Sequence, residues 1–416
     1  MVDQFRAPVG TRDVMPPESA RWQALVALAA ERFTRAAYGL VLTPVFEDVE
    51  VFQRVGEGTD VVRKEMYEFQ DRSGRHLALK PESTASVVRA YAQHRPTTPF
   101  KAWYVAPQFR YERPQAGRYR QHHQIGAEAL GTDDPDLDVE VVALAHEIVT
   151  ALGLCQVRLL LNSLGDAECR PGYMAALRAY LDERADALCD EHKTRVADNP
   201  LRVLDCKRAE CQVVTDGAPR MLDFLCDACR AHFDRVTEGL AAVGVPFEIE
   251  PRLVRGLDYY TRTTFELQAA ALESAQNGIG GGGRYDGLAE ALGAPFTPGI
   301  GFGLGVERLL LACDAEGVFP EPETSVAVWV IDIAGGTHAR DLTQRLRAAG
   351  IAADRSFDQR SMKSQFRAAD RSRARFALVV GEQEVADDTV VVRDLRDGGE
   401  EVVGRGDVVD HVTKRL

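Results

Sequence analysis

The chain has 416 residues, of which 45% are hydrophobic and 27% charged, so it is long enough for two or three domains and too apolar to be disordered. A formal net charge of −13 argues against a bulk nucleic-acid binder, so any RNA contact must be local. No apolar run reaches membrane-spanning length, and the opening MVDQFRAPVGTRD lacks the apolar core of a signal peptide, which together predict a cytoplasmic protein without a membrane partner.

The first predicted unit is a helix followed by a strand. Apolar residues recur at helical spacing over residues 19–38, and Gly39 ends the helix. Residues 40–46 (LVLTPVF) predict a strand that contains Pro44. Because proline cannot donate to a ladder, this strand requires an edge position or a break in pairing.

A hairpin of residues 66–69 and 76–79 leads to the sequence KPESTASVVRAYAQH. Ser83 or Thr84 is predicted to cap the helix that follows. Glu82, Ser83 and Thr84 would then present a carboxylate and hydroxyls at a strand end, which suits an ammonium group. The alternative is that these residues only cap the helix.

Two apolar strands are predicted to flank an arginine-rich loop. Residues 103–109 (WYVAPQF) and 124–130 (QIGAEAL) form the strands, and residues 114–117 form the turn. The loop has one acid, Glu112, and four arginines: Arg110, Arg113, Arg118 and Arg120. Guanidinium groups concentrated on a hairpin suit a polyphosphate, because each fork grips two oxygens and keeps its charge. The alternative is a solvated charged hairpin.

The middle of the chain changes in character after a predicted helix at residues 138–153 and a strand at 157–161. Residues 166–234 are helical in pattern, charged and rich in cysteine, which predicts an inserted helical subdomain. Its cysteines include two pairs, Cys206 and Cys211 in CKRAEC, and Cys226 and Cys229 in CDAC. These pairs suit either one small structural zinc site or four reduced thiols of a cytosolic protein.

Glycine-rich segments follow the insertion. Strands are predicted at residues 247–253 and 263–267, the second within RGLDYYTRTTFEL. Residues 277–286 (NGIGGGGRYD) are dense in glycine, and residues 298–311 (PGIGFGLGVERLLL) read as a glycine-rich strand that enters an apolar helix. Arg308 on the first turns of that helix is either a surface residue or a phosphate ligand.

A proline-bearing linker at residues 317–324 precedes a small α/β domain, for which we predict a mainly parallel sheet. From residue 326 on, fifteen basic residues balance fifteen acidic ones, but residues 340–375 hold ten basic and four acidic residues. A local positive patch of this size suits a phosphate backbone.

Several of these segments resemble histidyl-tRNA synthetases, which are class II aminoacyl-tRNA synthetases. FRYERP followed by GRYRQHHQ resembles motif 2 of the class, residues 19–46 resemble motif 1, and residues 298–311 resemble motif 3. PEST, RGLDYY and SMKSQFRAADR resemble two family-specific elements and the anticodon-binding domain. The resemblance therefore covers nearly the whole chain.

The resemblance implies an α/β fold with an α+β catalytic domain at residues 1–320. A six- or seven-stranded antiparallel sheet flanked by helices would carry the helical insertion at about 166–234, and an α/β anticodon-binding domain would occupy residues 326–416. It also implies a homodimer built through motif 1. The implied reaction is ATP-dependent ligation of L-histidine to tRNA(His) through histidyl-adenylate, with Mg²⁺ accompanying ATP. The family has no obligatory zinc, so we favour reduced cysteines and assign no protein metal site.

The resemblance also assigns ATP-binding residues. Arg110 and Arg255 are expected to stabilise charge at the α-phosphate as the catalytic residues. Arg118 and Arg308 would hold the β- and γ-phosphates. Glu112 would reach the adenine, and His122 would stack on it. Because an aromatic such as phenylalanine is common at that position, we expect a weaker, pH-sensitive platform from an imidazole.

The remaining expected contacts concern histidine and tRNA. Glu82, Thr84 and Gln124 would take the α-ammonium group, with Ser83 standing where glycine is usual. The two ring nitrogens would meet Glu128 and Tyr260, which suits the two polar edges of imidazole. Residues expected to close the pocket are Tyr259 and Tyr285. Those expected to contact the tRNA acceptor end are Arg113 and Gln115.

Two other functions are weighed against this one. The first is the catalytically inactive paralogue that regulates ATP phosphoribosyltransferase, which lacks the C-terminal domain and usually loses the arginines. Both features are present in this sequence. The second is a non-enzymatic RNA-binding or signalling relative. Histidine-dependent exchange of pyrophosphate into ATP distinguishes all three.

Overall fold

The structure is a computed structural model that describes residues 5–56, 60–193, 196, 199–254, 259–273, 277–322, 326–335, 337–357 and 360–416. The chain divides into two units, Met1–Glu321 and Pro322–Leu416. In the described part of the chain, no helix is both long enough and apolar enough to cross a membrane.

The first unit is built on an eight-stranded sheet and a small three-stranded sheet. The strands in chain order are β1 (Gly39–Leu40), β2 (Phe46–Asp48), β3 (Tyr67–Gln70), β4 (His76–Leu79), β5 (Phe100–Phe109), β6 (Gln121–Leu130), β7 (Val157–Ser163), β8 (Glu248–Ile249), β9 (Thr261–Ala269), β10 (Gly278–Arg284) and β11 (Gly299–Gly305). The large sheet has the order β1-β5-β6-β11-β10-β9-β7-β8, and the small one β2-β4-β3.

The helices of the first unit cover the sheet and form the insertion. In chain order they are α1 (Glu18–Arg35), α2 (Val49–Gly56), α3 (Asp60–Lys64), α4 (Thr84–His94), α5 (Pro135–Ala151), α6 (Arg170–Asp182), α7 (Asp190–Lys193), α8 (Leu201–Leu204), α9 (Ala209–Asp216), α10 (Asp227–Ala242), α11 (Leu288–Ala291) and α12 (Val306–Glu316). Helices α6 to α10 belong to the insertion, and α5 packs against α10 and the large sheet.

The large sheet is antiparallel except at its two ends. There the two-residue strands β1 and β8 pair in parallel with β5 and β7. These short end strands raise the count to eight, above the six or seven expected. The longest pairing joins β5 to β6 over ten residues, from Phe100 opposite Leu130 to Phe109 opposite Gln121. Both strands are longer than predicted: residues 100–102 extend β5 by pairing with residues 128–130, and the polar residues 121–123 extend β6 by pairing with residues 107–109.

Two strand predictions are wrong in extent. Residues 40–46 do not form one strand: β1 ends at Leu40, and β2 begins at Phe46 in the other sheet. Pro44 lies in the break, where its missing N–H costs no ladder bond. Residues 247–253 contain only β8, and Pro251 lies beyond its end.

A buried ionic network joins the insertion to the core. Asp138 of α5 accepts hydrogen bonds from Arg284 of β10, with Nε to Oδ1 at 3.1 Å, and contacts His232 Nε2 of α10 through Oδ2 at 2.8 Å. Asp138 and Arg284 are both fully buried. Because three elements meet at one carboxylate, this network fixes the last helix of the insertion against α5.

The cysteine pairs of the insertion do not meet in one place. Cys206 and Cys211 lie with Cys189 and His192, whereas Cys226 and Cys229 lie with a second group. The predicted alternative of a single zinc site made from all four cysteines is therefore wrong.

In its described residues, the second unit has a five-stranded sheet and four helices. The strands are β12 (Val328–Asp332), β13 (Ala353–Arg355), β14 (Phe376–Val380), β15 (Thr389–Asp394) and β16 (Glu400–Gly404), in the order β13-β12-β14-β15-β16. The helices are α13 (Thr337–Ala348), α14 (Met362–Arg371), α15 (Glu382–Ala386) and α16 (Val408–Thr413).

The prediction of a mainly parallel sheet in this unit is wrong for its second half. Strands β13, β12 and β14 pair in parallel, but β14–β15 and β15–β16 are antiparallel. The segment between β14 and β15 holds only the five-residue helix α15. A parallel crossover needs a dozen or more residues, so the chain turns back instead.

Candidate active site

A cleft of about 250 Å³ opens on the large sheet between the loop after β5, the glycine-rich strands β10 and β11, and the start of α12. Three of the predicted arginines line it: Arg110, Arg118 and Arg308. The other side chains and backbone segments that line it belong to Glu112, Gly117, Tyr119, His122, Gln124, Glu266, Gly278, Ile279, Gly280, Gly281, Gly303, Gly305 and Glu307. The cleft therefore presents three guanidinium groups and three carboxylates beside the bare glycine backbone of β10 and β11.

Arg308 is held at the floor of this cleft from the first turn of α12. Its Nη1 donates to the carbonyl of Gly278 at 2.6 Å, and its Nε donates to that of Gly117 at 3.2 Å. Burial, followed by the nearby charge of Arg118, lowers the pKa of its guanidinium. Gly117 has a φ of +67°, and a Cβ there would lie 2.8 Å from Leu311 Cδ1. Glycine therefore lets the loop lie on α12.

The other two arginines come from the loop itself. Arg110 Nε donates to the carbonyl of Pro81 at 2.9 Å, which ties the loop to the segment before α4. Arg118 pairs with Glu112 at 2.8 Å and stays partly exposed. Neither contact uses all five donors of a guanidinium group, so both side chains retain donors for an anion. The predicted catalytic residue Arg255 lies outside the described residues.

His122 lies in the cleft as a neutral imidazole. Burial, and after it the charges of Arg110 and Arg308, lowers its pKa to about 3. A pKa this low argues against a charge change of this ring near neutral pH, and the stacking role of His122 stays a prediction. The same arginines that would attract a polyphosphate prevent the ring from gaining a charge.

A buried carboxylate forms a second compartment beside the cleft. Glu128 accepts a hydrogen bond from Thr84 Oγ1 at 2.7 Å on one oxygen and from the hydroxyl of Tyr285 at 2.5 Å on the other. The Tyr104 hydroxyl lies 3.5 Å from the first oxygen. Burial raises the pKa of Glu128 to about 8, although the Tyr285 and Thr84 hydrogen bonds oppose that shift.

A glycine makes room for this carboxylate. Gly301 of β11 pairs with Glu128, and a Cβ at that position would lie 1.8 Å from Glu128 Oε2. Any other residue would displace the carboxylate. The glycine-rich sequence of β11 is thus required by the second compartment as well as by the cleft.

The start of α4 differs from the capping prediction. Ser83 holds the N-cap position without a side-chain cap, and its Oγ accepts from Gln108 Nε2 at 2.6 Å. The hydroxyl of Thr84 points to Glu128 instead. Glu82 supplies the cap, since its Oε1 accepts from the backbone N–H of Ala85 at 2.9 Å.

Two buried polar atoms of this compartment have no hydrogen-bond partner among the described residues. They are Oε2 of Glu82 and the hydroxyl of Tyr259. Tyr259 packs against Tyr260, with ring centroids 4.8 Å apart, and edge-on against Tyr285 at 6.0 Å. Because buried polar groups are nearly always paired in native proteins, these two atoms indicate a polar ligand.

Strand β6 places the two compartments in line. His122, Gln124 and Glu128 stand an even number of residues apart, so their side chains share one face of the strand. At about 3.3 Å per residue, the distance from His122 to Glu128 is roughly 20 Å. Gln124 lines the cleft and stands between them. A ligand of nucleotide size and a smaller one would therefore meet near Gln124.

The tip of the loop is exposed. Gln115 and Arg118 exchange two backbone hydrogen bonds, with N···O distances of 3.1 and 2.9 Å, and close a turn through Gly117. The side chains of Arg113 and Gln115 lie in solvent. Both are accessible to a partner, as the sequence analysis requires of a tRNA contact.

Sequence analysis missed three residues of the site. Tyr104 and Gln108 lie on β5 opposite Gly126 and His122, and their even spacing along the strand is a signal that could have identified them. Glu307 begins α12 and accepts from the backbone N–H of His123 at 3.0 Å, while also contacting the ring Nδ1 at 2.9 Å. This carboxylate joins α12 to β6, which no local pattern indicates.

Comparisons with known proteins find the same family over nearly the whole chain. The family model for histidyl-tRNA synthetase matches residues 10–309, and that for an anticodon-binding domain matches residues 325–415. A histidine–tRNA ligase of Corynebacterium kroppenstedtii is 49% identical and is aligned over 99% of this chain and 98% of its own. A histidine–tRNA ligase of Halothermothrix orenii is 45% identical, and the alignment covers 98% of this chain and 99% of the relative.

Solved structures give the same result. The apo histidyl-tRNA synthetase of S. aureus superposes with a TM-score of 0.83 at 34% identity, covering 98% of this chain and all of that one. A protein of Bacillus halodurans described as an ATP phosphoribosyltransferase regulatory subunit/histidyl-tRNA synthetase superposes with a TM-score of 0.67 at 20% identity, covering 91% of this chain and 99% of that one. At that identity the likeness concerns the fold alone.

Proposed function

Because the chain belongs to the histidyl-tRNA synthetase family, we propose that its arginine-lined cleft binds ATP and that its Glu128 compartment binds histidine. The enzyme is an aminoacyl-tRNA synthetase that ligates histidine to tRNA(His) at the expense of ATP. The observation that carries the assignment of the two compartments is their placement along β6, with a buried acid at one end and arginines at the other.

In the cleft, Arg118 and Arg308 bind the β- and γ-phosphates of ATP. Arg110 lies nearer the Glu128 compartment, through its bond to Pro81, and stabilises charge at the α-phosphate. The neutral ring of His122 stacks on the adenine, and Glu112 reaches the adenine edge. Mg²⁺ enters with ATP and offsets part of the phosphate charge. Arg255 remains our second proposed residue for the α-phosphate.

In the second compartment, Glu128 and Tyr260 meet the two ring nitrogens of histidine. Burial favours a protonated Glu128 when no ligand is bound. An entering imidazole therefore shares one proton with it, either as an acceptor from the acid or as a donor to the carboxylate. The unpartnered oxygen of Glu82, together with Thr84 and Gln124, binds the α-ammonium group. Tyr259 and Tyr285 close the pocket.

The reaction then needs no nucleophilic side chain. A carboxylate oxygen of histidine attacks the α-phosphorus, the bond from that phosphorus to the bridging oxygen breaks, and pyrophosphate leaves with the electron pair. The terminal ribose hydroxyl of the tRNA next attacks the carbonyl carbon of the adenylate and releases AMP. Positive charge near the α-phosphate is the main requirement, because both reactants of the first step are anionic.

We also infer a homodimer in the cytoplasm. Five apolar side chains near β1, β2 and β3 are 40% exposed or more: Leu40, Leu42, Val45, Phe46 and Phe69. An exposed apolar cluster beside an open sheet edge is typical of a subunit interface. The segment coincides with the one that resembles motif 1.

Histidine-dependent exchange of labelled pyrophosphate into ATP tests the proposed function. We expect exchange that requires both histidine and Mg²⁺, followed by transfer of histidine to tRNA(His). The matched control replaces histidine by other amino acids at equal concentration. Absence of exchange in folded protein with all components present would contradict the proposed function and favour a regulatory or RNA-binding relative.

A further inference from the structure

Six of the eight cysteines gather with one histidine and one aspartate into two compact groups. The first, called the His192 cluster, consists of Cys189, His192, Cys206 and Cys211. The second, called the Asp166 cluster, consists of Asp166, Cys169, Cys226 and Cys229. In each cluster the four potential ligand atoms lie within 4.8 Å of one another, and all six cysteines are free thiols.

The His192 cluster has the distances of a tetrahedral site. Cys189 Sγ lies 3.1 Å and Cys211 Sγ 3.9 Å from His192 Nδ1, and the N–H of Cys189 donates to Cys211 Sγ at 3.3 Å. Ligands of a tetrahedral zinc ion with bonds near 2.3 Å stand roughly 3.8 Å apart. Cys189, His192 and Cys211 are all buried, so the centre of the cluster is shielded from water.

The Asp166 cluster repeats the pattern with a carboxylate in place of imidazole. Asp166 and Cys169 follow β7 at a spacing of three, with Oδ1 and Sγ 3.4 Å apart. Cys226 and Cys229 have the same spacing at the start of α10. Two such pairs converging from separate segments are the usual construction of a structural zinc site.

The surrounding structure gives a reason for a metal. Helix α8 has four residues and α9 has eight, which is too short for a helix to be stable by itself. A three-thiolate, one-carboxylate site with a divalent ion carries a net charge of −2, and Arg262 lies 3.6 Å from Asp166 to offset it. Three sulfur ligands with one nitrogen or oxygen favour Zn²⁺ over harder cations.

We propose that each cluster binds one structural Zn²⁺ ion and that the two ions hold the insertion together. Each ion replaces three thiol protons, which leave to solvent, and no oxidation takes place. All four positions of each ion are filled by protein, so these sites are closed and non-catalytic.

The Asp166 cluster is also connected to the histidine compartment. Arg262 exchanges backbone hydrogen bonds with the end of β7, since its N–H donates to Gly165 and its carbonyl accepts from Leu164, both at 2.7 Å. Arg262 stands two residues after Tyr260. An ion in this cluster would therefore position Tyr259 and Tyr260. This consequence rests on the proposed function, whereas zinc binding itself does not.

The first experiment uses the full-length wild-type chain, expressed with zinc in the medium and purified with reductant and without chelator. We expect two zinc ions per chain by mass spectrometry of the metal, released stoichiometrically by a mercurial reagent. Replacement by Co²⁺ should give the sulfur-to-cobalt charge-transfer and intense d–d bands of a tetrahedral thiolate site. Because this measurement uses the unaltered protein, it does not depend on the folding of any variant.

The second experiment removes one site at a time. We expect Cys189→Ser with Cys211→Ser, or Cys169→Ser with Cys229→Ser, to lower the zinc content from two ions to one. Cys155→Ser and Cys313→Ser are the matched controls, because these two cysteines lie outside both clusters, and they should keep two ions.

Loss of the Asp166 cluster alone should raise the KM for histidine about tenfold or more, if Tyr260 binds the ring.

Wild-type protein that contains no transition metal, gives no tetrahedral cobalt spectrum and has eight titratable thiols would overturn the proposal. Disulfides within either cluster would overturn it as well. If the wild type binds two ions but loss of the Asp166 cluster leaves the KM for histidine unchanged, only the connection to Tyr260 is contradicted. Failure of pyrophosphate exchange with two ions bound would instead contradict the proposed function.

Discussion

At the scale of single residues, Glu128 stands out because its complete burial disfavours the ionised form of its carboxyl group. A fully buried carboxyl group accepts bonds from Thr84 and Tyr285 and still has a raised pKa. If histidine binds here as proposed, its imidazole brings two polar edges to a carboxyl group that the hydroxyls of Thr84 and Tyr285 already contact. Selectivity for histidine then follows, because an analogue lacking a ring nitrogen leaves a buried polar group unpaired.

We predict that Glu128→Gln weakens histidine far more than ATP. The amide retains an acceptor but loses the charge-assisted bond, which is worth about 1.5–3 kcal/mol. The KM for histidine in pyrophosphate exchange should therefore rise roughly 10- to 100-fold, while the KM for ATP stays nearly constant. Equal increases for both substrates would mean that Glu128 supports the strand and not the ligand.

The same residue should make the stability of the unliganded protein depend on pH. The pKa of Glu128 is about 8 in the folded state against 4.5 for the ordinary group, so between these values the folded state holds a proton that the unfolded state has lost. Stability contributed by this group is therefore complete at low pH and falls as pH rises from 4.5 to 8.

We expect this fall to be about 3 kcal/mol by pH 7, at 1.36 kcal/mol per pH unit. Glu128→Gln should remove it, since an amide does not titrate. Chemical denaturation at several pH values measures the difference between variant and wild type. Parallel curves for the two proteins across this range would show that Glu128 is already ionised in the folded state.

At the scale of secondary-structure elements, the loop between β5 and β6 divides into two parts. Its base holds Arg110 and Arg118 in the cleft, and its tip exposes Arg113 and Gln115. The loop is fixed by the bond of Arg110 to Pro81 and by that of Gly117 to Arg308 of α12, whereas the exposed side chains of Arg113 and Gln115 take no part in either contact. Changes at the tip are therefore expected to leave the cleft intact.

We predict that Arg113→Ala and Gln115→Ala slow aminoacylation but leave pyrophosphate exchange largely unchanged. Arg113 offers a charge to a phosphate, and Gln115 offers a donor and an acceptor to a base edge. Histidine tRNAs of this family carry an extra 5′ guanosine, so the loss should shrink with a tRNA that lacks it. Additive effects of variant and truncated tRNA, measured as a double-mutant cycle, would contradict the contact.

The network of Asp138, Arg284 and His232 provides a test of how the insertion is attached. We predict that Arg284→Met destabilises the first unit by about 3–5 kcal/mol, because it leaves a buried carboxylate without its main partner. Thermal and chemical unfolding measure the change. Arg235→Met is the matched control. Arg235 of α10 pairs with Asp136 of α5, and both side chains of this pair are more than half exposed. A variant at Arg284 as stable as this control would mean that Asp138 is protonated.

The sequence predicted most elements of the site, for physical reasons that particular residues illustrate. Long amphipathic patterns such as α5 and the paired strands β5 and β6 are local signals, and the glycines of β11 mark close backbone approach. Side-chain partners that come from distant segments were not predictable. Glu82 caps α4 in place of Ser83, whose hydroxyl accepts from Gln108 of a distant strand, and no spacing pattern carries that information.

At the scale of the whole molecule, the exposed apolar cluster around Leu42 is the feature that points beyond a single chain. We predict that Leu42→Asp converts a homodimer into monomers, because it places a charge in a surface that would be buried between subunits. Light scattering coupled to gel filtration measures the mass. Val243→Asp alters another exposed apolar position, directly after α10, and should keep the dimer. A wild-type monomer would refute the interface.

Strand β6 finally has a consequence for how this protein tolerates evolutionary change in length. His122, Gln124 and Glu128 share one face of the strand, so inserting or deleting one residue between them turns part of the set towards the opposite face. In the adjacent loop, side chains do not alternate between two faces, and lengthening a loop costs little in closure entropy. Insertions and deletions that survive selection should therefore collect at the loop tip, where tRNA contacts diversify while both substrate compartments stay in register.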